Sequence, residues 1–337
     1  MIDLTTKYLG LTLTNPIIVG SSGLTDSPEK IQKLEENGAA AVVLKSIFEE
    51  EITHEYEKIV AEEASKRYKD EFLDYLDYRI KSENIDKYIK LITGAKKVAG
   101  IPVIASVNCA SKHEWTNFAK AFEDAGADAL EVNLFILPSN LTKSPEEIEK
   151  TYFEIVSKLK EKIKIPIALK ISYYFTSLAQ TIQKLSSSGV SGLVLFNRFY
   201  SPDIDIEKMT ITSSNVFSQP DELSISLRWI AIMSNRVSCD LAASTGIHDG
   251  GAIIKQLLAG ANAVQVVSSI YNKGPEKIQN MLKDIKKWMI SNNYDSIDQF
   301  RGKLSQEKSV NPAIYERVQF MKYFSDRDKG SSLEVSS

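Results

Sequence analysis

The chain has 337 residues, of which 41 are basic and 44 acidic, so its formal net charge at neutral pH is −3. This balance leaves no excess of positive charge for nucleic acid or an anionic membrane surface, and we expect neither as a partner. The two cysteines, Cys109 and Cys239, lack metal-site spacing, which argues against a metal centre and is typical of a reduced, cytoplasmic compartment. Because the sequence has no long apolar run and no secretory signal pattern, we also expect no membrane segment.

A short internal repeat organises the chain. In each copy a helix ends at a glycine, a turn of small residues follows, and an apolar, β-branched run begins. The glycines of the four copies are Gly38, Gly126, Gly189 and Gly260. A second pattern places proline just before a short apolar run, at Pro102 and Pro166. Together these signals predict eight strands, over residues 16–19, 40–45, 102–106, 129–134, 166–171, 192–197, 237–243 and 263–267.

Helical patterns separate most of the predicted strands. They cover residues 27–37, 85–98, 114–124, 145–161, 178–186, 223–233 and 250–258. Such an alternation predicts an α/β fold, a closed parallel (β/α)8 or TIM barrel, with a doubly wound open sheet as the alternative. We expect residues 1–328 to form this single domain and residues 329–337 to form a flexible tail.

Three excursions interrupt the alternation, after the second, fourth and sixth predicted strands. They comprise residues 49–82, 137–145 and 198–220. Each follows the carboxyl end of a strand, which is where the active sites of such barrels lie. Long loops at these positions are more often functional than mere connections.

Small residues after the last two strands predict a phosphate site. Thr245, Gly246, Ser268 and Ser269 follow the seventh and eighth strands, and the loops after these strands, leading into helix N-termini, commonly form the phosphate site of a barrel. Small residues there let backbone N–H groups approach an anion, and the helix dipole favours its charge. Ordinary helix capping by serine and threonine is the alternative interpretation.

Two lysines end apolar strands and indicate a polar ligand. Lys45 lies at the end of the second strand and Lys170 at the end of the fifth, and charged residues rarely lie inside a barrel without a partner. Together with Asn133 and Asn197, they suit a polar, electron-accepting ring or a phosphorylated ligand. A solvated barrel mouth is one alternative, and a lysine-dependent aldolase without flavin, which uses a strand-end lysine to form a Schiff base, is another.

Residues 4–304 resemble the dihydroorotate dehydrogenases, particularly their cytosolic class. The resemblance is carried, in order, by Thr-Asn-Pro at 14–16, Gly-Ser-Ser-Gly at 20–23, Leu-Lys-Ser at 44–46, Leu-Glu-Val-Asn-Leu at 130–134, Leu-Lys at 169–170, Ser-Thr-Gly-Ile at 244–247, Leu-Ala-Gly-Ala at 258–261 and Lys-Gly-Pro at 273–275. It implies flavin mononucleotide (FMN) as cofactor and hydride transfer between the flavin and a dihydropyrimidine-like substrate, for example dihydroorotate in pyrimidine biosynthesis. By analogy it also implies a cytoplasmic homodimer.

The resemblance further implies roles for individual residues. The cofactor-binding residues would be Ser21, Ser22, Gly23, Lys45, Ser46, Asn108, Asn133, Lys170, Thr245, Gly246, Ser268 and Ser269. Lys170 would hold the polar edge of the flavin, where a cation stabilises the negative charge of the reduced ring. The substrate would contact Asn133, Asn140 and Asn197.

The sequence departs from the family where the catalytic base is expected. After the fourth strand the family has Asn, an aliphatic residue, Ser, then Cys or Ser as base, then Pro-Asn, whereas this chain has Phe135 and Ile136 after Asn-Leu. Neither of these two side chains can abstract a proton. A two-residue insertion would make Ser139 the candidate base, with Lys45 as the second candidate catalytic residue. The family's Asn-rich loop after the second strand is also replaced, at 62–78, so a flavoprotein with a lost or changed substrate site is a further alternative.

Overall fold

The computed structural model describes residues 2–48, 70–109, 115–199 and 201–316. The expected tail at 329–337 and residues 49–69 of the first excursion lie outside the described residues.

In the first half of the chain the elements are β1 (Thr6–Tyr8), β2 (Leu11–Leu13), β3 (Ile17–Val19), α1 (Pro28–Glu36), β4 (Ala41–Val43), β5 (Ile47–Phe48), α2 (Asp70–Val98), β6 (Val103–Cys109), α3 (Trp115–Asp124), β7 (Ala129–Leu134) and α4 (Pro145–Lys162). They are followed by β8 (Ile167–Ile171), α5 (Leu178–Ser186), β9 (Gly192–Leu195), β10 (Pro202–Asp205), β11 (Thr210–Ser213), α6 (Leu223–Met233), β12 (Asp240–Ser244), α7 (Gly250–Ala259), β13 (Ala263–Val266), α8 (Ser268–Lys273) and α9 (Lys277–Ser291). Short 3-10 turns lie at Pro220–Glu222, Ile297–Gln299 and Pro312–Tyr315.

Eight parallel strands form a closed barrel. Their order around the barrel is β4, β3, β13, β12, β9, β8, β7 and β6. The pairing of β4 with β6, where Val42 lies opposite Val103, closes the sheet on itself. This closure confirms the predicted TIM barrel and excludes the open doubly wound sheet.

The amino end of the barrel is filled by the antiparallel hairpin of β1 and β2. Tyr8, Leu9 and Leu13 of this hairpin are buried against the small interior residues of the strands, including Ala129 and Ala168. At Gly192 an added Cβ would lie 2.6 Å from a methyl carbon of Leu9, so a glycine is needed for this close packing. This hairpin was not among the elements predicted from the sequence.

The other corrections concern segments outside the barrel strands. Helix α2 begins at Asp70, well before the predicted start at residue 85, and the predicted loop at 198–220 contains the antiparallel pair β10 and β11. Helices α8 and α9, after the last strand, were not among the predicted helices. None of the helices in the described ranges is long and apolar enough to cross a membrane.

Candidate functional site

Hydroxyl and amide groups from four barrel strands meet at the carboxyl end of the barrel, called the mouth below. Ser46 Oγ lies 2.9 Å from Ser21 Oγ and 2.7 Å from Ser106 Oγ. The side-chain amide of Asn133 donates to Ser46 Oγ at 3.0 Å. Its oxygen, Asn133 Oδ1, is buried without a hydrogen-bond partner among the described residues, so this network has one acceptor left for a ligand.

A buried lysine is held by two side chains from other strands. Lys170 Nζ donates to Gln265 Oε1 at 2.7 Å and lies 3.7 Å from Glu131 Oε1. The amide nitrogen of Gln265 donates in turn to the other oxygen of Glu131. The Glu131 carboxylate is buried, and its Oε1 accepts no hydrogen bond within the described part of the chain. Gln265 and Glu131 therefore fix the ammonium group of Lys170 beneath the mouth.

A large cavity of about 560 Å³ opens above this lysine. A volume of roughly 300–1,000 Å³ is typical of sites for small ligands and cofactors. The cavity, called the large cavity below, is lined by Ser21, Lys170, Asn197, Arg198, Val216, Phe217, Ser218, Ser244, Thr245, Gly246, Ile247, Gln265, Val267, Ser268 and Tyr271. It therefore brings together Lys170, Asn197 and the small residues after the last two strands.

The far end of the large cavity lies at the start of helix α8. Ser268 begins this helix, and its hydroxyl accepts from the Ser218 amide nitrogen at 3.0 Å. The hydroxyl of the next residue, Ser269, is buried without a partner among the described side chains and backbone groups. At Gly246, with φ +75°, an added Cβ would lie 2.2 Å from the backbone nitrogen of Leu223, so this glycine is required by packing.

The remaining predicted cofactor residues border the mouth without lining the large cavity. Ser22 and Gly23 lie in the turn after β3, where Ser22 Oγ donates to the Gly20 carbonyl at 3.2 Å. Lys45 is exposed just after β4, and Asn108, half buried in β6, lies opposite Asn133 in the strand register.

The candidate base and one candidate substrate residue lie apart from the large cavity. Ser139 and Asn140 are exposed in the loop between β7 and α4. Asn140 Oδ1 accepts from the backbone and the hydroxyl of Thr142, both at 2.8 Å, and so stabilises a turn. Asn140 instead lines a separate outer cavity of about 470 Å³. The proposed roles of Ser139 and Asn140 therefore stay predictions.

Aromatic rings occupy the mouth above β7, β8 and β9. This aromatic wall consists of Phe135, Tyr173, Tyr174, Phe196 and Phe199, whose ring centroids are 4.2 to 5.7 Å apart in five contacting pairs. This wall was not predicted from the sequence, where Phe135 stood out only because it lacks a titratable group. The sequence does carry a signal for the wall, because aromatic residues lie at or just after the ends of three predicted strands, as at Phe135, Tyr173 and Phe196.

Three other side chains of the candidate site were not predicted from the sequence. Gln265 and Glu131 lie inside apolar strands, and Ser218 lies in the loop after β11. The signal for the first two was a polar residue within a strand that is otherwise buried. Within the described ranges, no group of three or more His, Cys, Asp or Glu side chains is arranged to hold a metal ion.

A closed parallel barrel with a polar cavity at its carboxyl end defines a TIM-barrel protein, and this candidate site lies where such barrels bind their substrates. The chain belongs to the dihydroorotate dehydrogenase family, whose model, described as dihydroorotate dehydrogenase, matches residues 3–289. This is a family of oxidoreductases, and the match confirms the resemblance inferred from the motifs.

Individual relatives cover most of the chain at low identity. The catalytic subunit of dihydroorotate dehydrogenase B (NAD(+)) from Thermoplasma acidophilum is 26% identical over 310 residues, which cover 90% of this chain and 99% of the relative. The protein of the same name from Thermoplasma volcanium is 25% identical over 311 residues, with 90% and 98% covered. The dihydroorotate dehydrogenase (fumarate) of Saccharomyces mikatae is 25% identical over 324 residues, again with 90% and 98% covered. The names of these relatives differ in the electron acceptor.

Proposed function

We propose that this chain is an FMN-dependent oxidoreductase that acts on a carbon–carbon bond of a ring-shaped substrate. The observation that carries the proposal is the large cavity, which joins the buried ammonium group of Lys170 to the small residues at the start of helix α8. FMN has a polar ring at one end and a phosphate at the other, and it supplies two-electron chemistry when bound.

The residues around the large cavity match both ends of this cofactor. Ser268, Thr245 and Gly246 offer hydroxyl and backbone groups without bulk, which suits a phosphate group. The buried hydroxyl of Ser269, beside Ser268, lacks a partner among the described residues, as does the amide oxygen of Asn133. Buried polar groups are rarely left unpaired, so these two atoms support the proposal that a ligand binds at this site.

Lys170 is the residue to which we assign the polar edge of the flavin ring. Gln265 and Glu131 orient its ammonium group, and a cation at this edge stabilises negative charge that develops on the ring. Asn197 lines the same cavity from the end of β9, where a substrate stacked against the ring would meet its amide.

Dihydroorotate is the first substrate to test, because the relatives are named dihydroorotate dehydrogenases. The altered segment after β7 favours a second candidate, a flavoprotein of this family whose substrate has changed, because Phe135 and Ile136 follow Asn-Leu where the family places its base. If dihydroorotate is the substrate, Ser139 stays the candidate base. The two Thermoplasma relatives are named catalytic subunits, and we propose that this chain also assembles, as a homodimer or with a second subunit.

The test begins with the visible absorption spectrum of the purified protein, before and after FMN is added. A flavin spectrum that survives gel filtration supports the proposal, and anaerobic titration with dihydroorotate then shows whether that compound reduces the flavin. Absence of bound flavin after FMN is added would contradict the proposal. Borohydride trapping of a Schiff base on Lys170 would instead support the aldolase alternative.

A double variant tests the role assigned to Lys170. Removing Lys170 alone would leave the Glu131 carboxylate buried without its cation, at a cost of roughly 3–5 kcal/mol in stability. We therefore pair Lys170→Met with Glu131→Gln and expect FMN to bind at least about tenfold more weakly, since a charged hydrogen bond is lost. The matched control is Lys96→Met with Asp128→Asn, which removes an ion pair of 2.7 Å on the outside of the barrel and should leave FMN affinity unchanged. Equal FMN affinity in both double variants would refute the role of Lys170.

A further inference from the structure

The aromatic wall borders the large cavity. A small cavity of about 80 Å³, lined by Tyr173, Phe196 and Phe199, shares Asn197 and Thr245 with the large cavity. Tyr173 also lines the outer cavity of about 470 Å³, together with Tyr174. The wall therefore lies between the large cavity, which Lys170 lines, and the outer cavity.

The wall presents partly accessible ring surfaces. Phe135 and Phe199 are half buried, with centroids 4.2 Å apart, and Tyr174 keeps 40% of its surface exposed. Phe199 also contacts Tyr174 at 4.8 Å and Tyr173 at 5.7 Å. Ring faces and edges in this arrangement can take a further flat ring in a stacked or edge-on contact.

Charges of both signs line the two cavities next to the wall. Arg198 Nε donates to Glu222 at 3.0 Å, and its terminal nitrogens donate to the carbonyls of Val216 at 2.7 Å and Asn215 at 2.8 Å. Most of the N–H groups of Arg198 are therefore used within the protein, by Glu222 and by backbone carbonyls of residues 215–217. Lys143 and Glu149, of opposite charge, both line the outer cavity.

The tyrosine hydroxyls supply neutral polarity in this region. Burial, the hydrogen bond with Tyr174 and the nearby charge of Glu222 raise the pKa of Tyr173, so its hydroxyl stays protonated at neutral pH. The hydroxyl pair of Tyr173 and Tyr174 can donate to an uncharged acceptor such as a carbonyl oxygen.

We infer that the wall is a substrate subsite for a flat, uncharged, conjugated ring that carries a carbonyl group, in preference to a ring that carries a carboxylate. The inference rests on the proposed function, because the ring is expected to lie between the wall and the bound cofactor. It assigns to the five aromatic residues the selection of substrate, by ring contact and by a hydrogen bond from the tyrosine pair.

Three compounds that differ in one property each test the inference. Acetophenone has a flat ring with one carbonyl group, benzoate has the same ring with a carboxylate, and cyclohexyl methyl ketone has the same carbonyl group on a saturated ring. Each is titrated into the FMN-loaded protein, with binding measured by calorimetry and by perturbation of the flavin spectrum. We expect acetophenone to bind at least about fivefold more tightly than either comparator.

Variants of the wall provide the second readout. Phe199→Ala removes three ring contacts and should weaken acetophenone binding about fivefold or more, while Tyr173→Phe keeps the ring and should weaken it about fivefold through loss of the hydroxyl. The control is Met209→Ala, because Met209 is 88% exposed and lies between β10 and β11, and it should leave binding unchanged. Flavin content and melting temperature are measured for each variant, so a folding defect is separated from loss of the subsite.

The outcomes separate the inference from the function on which it rests. No flavin after addition of FMN contradicts both. Full flavin occupancy with benzoate or orotate bound more tightly than acetophenone overturns the inference alone, as does acetophenone binding that neither Phe199→Ala nor Tyr173→Phe changes. Full occupancy with the expected order of ligands, and with weakening confined to the wall variants, supports it.

Discussion

The two ends of the barrel use the same strands in different ways. At the amino end, apolar side chains of the β1–β2 hairpin, among them Leu9 and Leu13, are packed on small strand residues. At the mouth, the same strands present Lys170, Asn133 and a row of serines, and some of their polar atoms lack partners within the described ranges. The contrast indicates that the amino end is closed by apolar packing, although the Tyr8 hydroxyl there also lacks a partner among the described residues, whereas the unpaired oxygens of Asn133 and Glu131 lie at the mouth, where a barrel binds its ligand.

Among the substitutions that test the difference between the two ends of the barrel, Leu13→Ala should lower the free energy of unfolding most. The side chain is 1% exposed within the hairpin that fills the amino end. Its truncation should lower the free energy of unfolding by about 2–5 kcal/mol, because it removes buried contacts and leaves a cavity. Chemical denaturation measures the loss, and FMN titration of the folded variant should give the affinity of the original protein. A loss of FMN affinity at full folding would contradict the separation of the two ends.

Asp240→Ala should have an intermediate effect at the same end. One carboxylate oxygen of Asp240 accepts from the Leu9 backbone at 2.8 Å and the other from the Asn262 side chain at 2.9 Å, which ties the hairpin to β12. Loss of these bonds should cost about 1–3 kcal/mol in unfolding free energy.

Asp205→Ala is the matched control for Asp240→Ala. Asp205 accepts from two backbone N–H groups in the turn between β10 and β11, at 3.1 and 3.0 Å, but joins no distant elements. It should cost less than about 1 kcal/mol. Equal losses in the two variants would show that the link between hairpin and barrel contributes nothing.

Ser269→Ala should have the smallest effect on the free energy of unfolding. Unlike the truncation of a serine whose hydroxyl is hydrogen-bonded, it should not lower this free energy. Its buried hydroxyl has no partner among the described groups, so its removal should leave the stability of the FMN-free protein unchanged or raise it by up to about 1 kcal/mol. The affinity for FMN should fall about fivefold if this hydroxyl binds the cofactor.

Ser186→Ala gives the comparison for Ser269→Ala. Ser186 is also buried, but its hydroxyl donates to the Gln183 carbonyl at 2.7 Å, far from the mouth. We expect this variant to lose about 1 kcal/mol and to bind FMN normally. If both variants show the same change in unfolding free energy and in FMN affinity, the Ser269 hydroxyl is not a group that binds the cofactor.

The barrel was predictable from the sequence because its signals are local. Each helix that ends at a glycine, as at Gly126 and Gly189, is followed by a short apolar run, and the structure places strands β7 and β9 at those runs. Lys170, Thr245 and Ser268 could also be placed together, because all parallel strands of a barrel end at the same mouth.

The remaining features depend on contacts between distant parts of the chain. The pairing of Glu131 with Lys170 and Gln265 joins three strands, and no local pattern indicates which buried polar side chains meet. The exposed strands β10 and β11, with Ile204 opposite Ile211, resemble a polar loop because acidic and hydroxyl residues surround the few apolar ones. Motif spacing alone likewise did not reveal that the loop with Ser139 turns outward.

The most direct test of the account is the stoichiometry of FMN bound to the purified protein, measured by absorbance after gel filtration and compared with the Lys170→Met/Glu131→Gln variant. The account predicts one FMN per chain in the original protein, and markedly weaker binding in the folded double variant. A folded original protein that retains no FMN at saturating concentration, or a double variant that binds FMN equally well, would contradict it.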